Sequence, residues 1–154
     1  VTKVSPETLS QAQFFKGLPA PSLETLAGFA EQVRFPAGAS LFKEGGDADS
    51  CYLVTGGDVA LEIAIPGRGQ HVIATIHAGE VLGWSWLFPP YTWTFDAQAF
   101  TEVDAIRFGA KDLWEAKTTD PVLGHELMTR FAAVLVDRLQ ATRLQLLDMY
   151  GHVG

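Results

Sequence analysis

Cysteine is almost missing from this chain of 154 residues: Cys51 is the only one. A single thiol excludes an internal disulfide framework and a zinc site built on cysteines. Its setting in "CYLVT" is apolar, so a buried, inert thiol is expected, in a reducing compartment such as the cytoplasm. Long apolar runs are missing too. The longest, Phe131 to Val136, falls far short of the about 20 residues that cross a bilayer. No basic segment followed by an apolar one marks a secretory signal, and no membrane partner is expected. Positive charge is scarce: eleven Lys and Arg stand against eighteen Asp and Glu, a net charge of −7. The cations are scattered rather than clustered, which argues against direct contact with a nucleic-acid backbone. The shortage is sharpest between Arg68 and Arg107. That interval holds no Lys or Arg, while Glu80, Asp96, Glu102 and Asp104 supply four negative charges.

Inside the same interval lies an unusual abundance. "GWSWLFPPYTWTF", residues 83 to 95, holds three of the four tryptophans and six of the seventeen aromatic residues, with no charge at all. A core strand would alternate and a core helix would not carry Pro-Pro, so the segment is neither.

The rest of the chain reads as one domain in three zones. Residues 1–31 are helical: Ser5-Pro6-Glu7 offers an N-cap with proline at the first helical position, and Ser22 is expected to cap a second helix. Residues 32–108 are short strands cut by the turn signals "PAG", "EGGDADS", "TGGD", "PGRGQ" and "HAGE". The predicted strands are 32–35, 51–55, 59–65, 71–76, 95–101 and 103–108. Such a pattern implies a sandwich, a jelly roll or a barrel. Residues 109–154 return to helix, a short one over 110–117 and a long one opening at Asp120-Pro121, with Gly151 as its stop.

Thirty residues of helix make a rod of about 45 Å, more than a domain of this size needs to cover its own sheet. Leu123, Leu127, Phe131 and Val134 form an apolar set over its first half, suited to packing on the strands. Met128, Ala132, Leu135, Leu139, Thr142, Leu146 and Met149 recur at spacings of four and three, a heptad seam. A homodimer through this seam is the expectation.

The stretches "FPAGASLFKEGGDADSCYLVTGGDVAL", "AGEVLG" and "RLQATRLQLLDMYG" resemble the cyclic nucleotide-binding domain. That module is the effector domain of catabolite activator/FNR regulators, of protein kinase A regulatory subunits and of cyclic-nucleotide-gated channels. The resemblance runs from about Phe14 to Tyr150 and is most specific at the turn glycines Gly38, Gly45 and Gly57. It implies a mainly β protein with flanking helices: an antiparallel β jelly roll (double-stranded β-helix) with N-terminal helices. Its pocket would be closed by a hinge helix and the long C-terminal helix.

The aromatic segment then falls on the family's phosphate-binding cassette. There, the resemblance implies, backbone amides cradle a cyclic phosphate, an arginine neutralises it and a glutamate accepts a ribose hydroxyl. Gly83 matches the cassette glycine, but Trp84 stands at the glutamate position. Trp93 stands where kinase-type cassettes carry arginine, followed by an acceptable Thr94, and Ala99 keeps the closing register. With Ser85 and Trp86, these residues make the candidate ligand pocket. A cyclic phosphate there lacks its counter-charge, a loss of several kcal/mol, so cAMP or cGMP is expected to bind weakly. Either the tryptophans fill the pocket themselves, the favoured expectation, or they cage an uncharged or apolar ligand. If the pocket is self-filled, a Trp93→Arg change is expected to begin restoring nucleotide binding.

Competing functions find less support. A cupin-like metal-dependent enzyme would share the jelly roll, but His71 and His77 lie six apart, and no His-x-His with a nearby glutamate occurs. No nucleophile or paired-carboxylate constellation appears, and no metal or catalytic residue is assigned. The reading is a non-catalytic regulatory or sensor module with an unidentified downstream protein partner and no cofactor. "YGHVG" reads as an ending, which favours a standalone module over the effector domain of a longer transcription regulator.

Overall fold

Glycine and proline turns cut the middle of the chain into eight short strands: β1 (Ala30–Phe35), β2 (Ser40–Phe42), β3 (Ser50–Gly56), β4 (Val59–Ile65), β5 (Gly69–Ile76), β6 (Val81–Leu82), β7 (Asp96–Ala99) and β8 (Val103–Gly109). The structure, a computed structural model, describes residues 3–151 and their side chains up to Asp148. Two four-stranded sheets face each other, ordered β1-β8-β3-β6 and β2-β7-β4-β5. Every pairing is antiparallel. This is the jelly roll the family resemblance implies. Two strands escaped the sequence reading, β2 and β6, because three and two residues are too few to show alternation.

The strand β3 is buried without a break from Ser50 to Val54, since one face looks into the roll and helices cover the other. Its turn into β4 requires glycine. Gly57 has φ +81°, and a Cβ there would come within 2.1 Å of the Glu102 carbonyl oxygen.

Helices α1 (Pro6–Ser10) and α2 (Ala20–Phe29) precede the roll, and α3 (Ala110–Thr119) and α4 (Pro121–Gly151) follow it. Ser5 caps α1, accepting a hydrogen bond from the Thr8 amide at 3.2 Å. Ser22 does not cap α2, contrary to expectation. The helix already starts at Ala20 after an extended Pro19, which leaves Ser22 buried in its first turn. Asp120 opens α4 as read, its Oδ1 accepting from the Leu123 amide at 3.2 Å.

One stripe of α4 packs on the roll: Leu123, Leu127 and Phe131 are buried and Val134 half-buried. The heptad seam lies on a neighbouring face. Met128 and Leu135 are half-buried, while Ala132, Leu139, Thr142 and Leu146 are exposed. Met149, the last seam position, falls outside the residues whose side chains are described.

Candidate functional site

The aromatic segment runs from the end of β6 to the start of β7. Gly83 turns the chain with φ +93°, Ser85–Leu87 form one 3-10 turn, and the Pro89–Pro90 peptide is cis. Its tryptophans go three different ways. Trp93 enters the core and stacks on Phe42 with ring centres 3.8 Å apart and planes 11° from parallel. Its backbone fixes the loop before β3: the Gly45 amide donates to the Trp93 carbonyl at 2.9 Å, and the Trp93 amide donates to the Gly46 carbonyl at 2.8 Å.

Trp86 is buried on the opposite side, edge-on to Trp114 of α3 and Phe131 of α4. The Trp114 indole N–H donates to the Trp86 carbonyl at 3.2 Å, tying the cassette to α3. Trp86 Nε1 is itself buried without a hydrogen-bond partner. Only Trp84, half-buried, is left to face a cavity.

That cavity has a volume of about 470 Å³ and lies between the roll and the second half of α4. Leu61 of β4, Ile73 and Ala74 of β5, Trp84 and Phe95 give it apolar walls. Ala141 closes it from α4, and Thr75, Thr94, Thr142 and Gln145 add neutral polar groups. A bulge explains how Ile73, Ala74 and Thr75 all reach one cavity. The β4–β5 register slips between Leu61 and Glu62, which breaks the two-residue alternation of β5. Ile73 is left without a ladder partner, and its carbonyl accepts instead from the Gln145 side chain at 3.4 Å.

The structure thus brings two of the candidate pocket residues, Trp84 and Thr94, to the cavity wall. Gly83, Ser85, Trp86 and Trp93 are buried beside or behind it. Two of the indoles, Trp86 and Trp93, pack into the core, and an open cavity remains beside the third, Trp84. Rings with better partners in Phe42, Trp114 and Phe131 pack on those partners.

The electrostatics also differ from what the cassette interval suggested. None of its four carboxylates lines the cavity. Asp96 accepts from the Glu44 amide at 2.7 Å and from Gln70 at 3.0 Å. Asp104 and Glu102 face Arg34, at 2.8 and 3.8 Å. Glu80 accepts from the His77 amide at 2.8 Å. The cavity does have a cation, Arg138 of α4, with Glu80 at 3.9 Å. Sequence reasoning missed it: outside the cassette it considered Arg68, Arg107 and a partner chain's helix as sources of a cation, but not this chain's own α4. The signal was there: Arg138 comes four residues after Val134, on the stripe of α4 that faces the roll. Arg107 is engaged elsewhere, 3.7 Å from Glu31 and 3.9 Å from Asp49.

The remaining candidates stay apart from this cavity. His77 Nδ1 lies 2.6 Å from Asp58 Oδ1, and His71 is exposed on β5. Among the described residues, no group of three or more His, Cys, Asp and Glu side chains is placed to hold a metal ion. Burial pushes the Cys51 thiol up to about 12, far from a nucleophile's range.

Residues 32–120 match the model of the cyclic nucleotide-binding domain. A curated relative, the CRP-like cAMP-activated global transcriptional regulator of Mycobacterium tuberculosis, is 26% identical over 143 residues. That match takes in 93% of this chain but 62% of the relative, so the chain spans under two thirds of its length. Among solved structures, a Geobacter metallireducens GS-15 protein proposed to bind cyclic nucleotides superposes with a TM-score of 0.80 at 31% identity, over 88% of this chain and 98% of that one. The N-terminal domain of a transcriptional regulator from Streptomyces coelicolor A3(2) gives 0.70 at 28% identity, over 84% and 92%.

Proposed function

The chain belongs to the cyclic nucleotide-binding domain family, and on that premise we propose that it is a non-catalytic, cytoplasmic regulatory module. Its ligand site is the cavity between the roll and α4, and occupancy there alters how α4 sits on the roll. One observation carries this reading. A cavity of about 470 Å³, within the usual range for small-molecule sites, is walled on one side by the long helix α4. A ligand touching both Trp84 and Arg138 bridges the two parts and biases their relation.

Cyclic nucleotides fit this site poorly. The acceptor that a ribose hydroxyl needs is replaced by Trp84, and the cassette cation by a core tryptophan. Arg138 offers an anion one partner, but no carboxylate on the cavity wall is there to accept from a ribose hydroxyl. Binding of cAMP and cGMP is therefore weak, in the high micromolar to millimolar range. Titration calorimetry tests this. A dissociation constant below about 1 μM for either nucleotide, roughly −8 kcal/mol, overturns the weak-binding reading.

The module works as a homodimer through the exposed seam of α4. The chain's regulator relatives support a role in signal response, in which the ligand signal passes along α4 to a downstream partner.

A further inference from the structure

Resting on that reading of the cavity, we propose that its ligand is an organic monocarboxylate with an apolar, aromatic body, the carboxylate being held by Arg138.

The argument starts from a cation short of partners. The Arg138 side chain is only 25% exposed, and its one ion-pair contact is Glu80 at 3.9 Å, beyond hydrogen-bonding distance. Among the described residues no acceptor takes a hydrogen bond from it. A guanidinium carries five donors in a planar fork, and those of Arg138 face water or a ligand rather than a protein acceptor. A carboxylate answers two of those donors at once in a parallel pair of bonds.

Charge then limits the ligand. Among the described residues, Arg138 is the only charged one on the cavity wall, in a chain of net charge −7. One cation, already facing Glu80 at 3.9 Å, leaves room for no more than one negative charge on the ligand. A dianion would bring a second charge into a site with nothing to offset it.

The walls define the rest of the molecule. Trp84 and Phe95 are 5.6 Å apart in an edge-on arrangement, and an aromatic body adds to such a pair. Leu61 and Ile73 offer only apolar surface. The neutral hydroxyls of Thr94 and Thr142 accommodate a few polar atoms. A cyclic nucleotide shares the single negative charge but carries more polar atoms than these few hydroxyls can partner, and loses affinity for each one left unpaired.

Titration calorimetry on the full chain tests the proposal, with 2-naphthylacetate, its uncharged amide and cAMP as probes. The acid is expected to bind at least about tenfold tighter than the amide. Arg138→Met should lower the acid to the amide's affinity and leave the amide unchanged, while Arg138→Lys falls between. Thermal melts confirm that each variant is folded. Equal affinity of acid and amide, or a preference that survives Arg138→Met, overturns the carboxylate inference while leaving the cavity as a neutral ligand's site. No saturable binding of the acid at about 1 mM also overturns it. Ala141→Trp, which fills the cavity from α4, should abolish binding of both probes. If it leaves the acid's affinity untouched, the ligand sits elsewhere and the proposed site falls as well.

Discussion

The ring of Trp93 lies directly over Gly83: a Cβ at position 83 would meet the indole at 3.0 Å and the Ser50 carbonyl oxygen at 3.3 Å. Gly83 and Trp93 thus pack directly against each other in the core. Gly83 also sits at φ +93°, where a side chain is strained. Gly83→Ala should therefore cost about 2 kcal/mol or more in urea unfolding, from strain and overpacking together.

Trp93→Arg is the reciprocal case. From sequence it looks like repair of a phosphate site, but Trp93 is 4% exposed and stacked on Phe42. The change removes that packing and buries a guanidinium among apolar rings. A loss of at least about 3 kcal/mol is expected, with no gain in cAMP affinity. Recovery of submicromolar cAMP binding in a stable variant would falsify this account of the cassette.

Cys51 gives a pH-dependent prediction. Burial raises the folded thiol to about 12, above the ordinary value near 8.5 in an unfolded chain. Between these values the folded state keeps a proton that the unfolded state has released. Stability is thus intact below about pH 8.5 and falls as pH rises toward 12, by at most roughly 1.4 kcal/mol per unit. Cys51→Ala should lack this component of the alkaline loss, as denaturant melts across the window would reveal. Iodoacetamide at pH 8 should modify the native thiol only at the rate of unfolding.

These residues also mark what a reader of the sequence could see. The turns around Gly38, Gly45 and Gly57 are local signals, and they carried the jelly roll. β2 and β6 carry no such signal: Phe42 becomes strand by pairing with Ala97, and Val81 by pairing with Leu53, both far away along the chain. The aromatic segment was visible as an anomaly, but where each indole goes is decided by distant partners. Phe42 draws Trp93 inward, and Trp114 with Phe131 encloses Trp86. Arg138 was legible in principle. It replaces an apolar residue on the roll-facing stripe of α4, a local breach of pattern that marks functional positions.

The seam of α4 predicts an association. Leu139 is 62% and Leu146 48% exposed in the isolated chain, on one face with Ala132 and Leu135. Leu139→Asp should leave the fold intact, since the side chain touches solvent, yet convert a dimer to monomer at micromolar concentration. Sedimentation of the unmutated chain as a monomer would remove the seam's role as an interface.

Glu80 and Arg138 supply the last prediction, because their 3.9 Å contact competes with any anion in the cavity. The Glu80 side chain is 48% exposed, so the attraction is screened and modest. Glu80→Gln keeps an oxygen that can accept from the His77 amide, so the turn before β6 should survive. What changes is the charge facing the guanidinium. Affinity for 2-naphthylacetate should rise about two- to fivefold, the equivalent of removing one exposed ion pair. Affinity for the neutral amide should stay fixed, since it gains nothing from a freer cation. The gain should shrink in about 0.5 M salt, where exposed charges are screened over a few ångströms. An equal rise for acid and amide would assign the effect to cavity shape, and no rise at all would mean that Glu80 does not restrain Arg138.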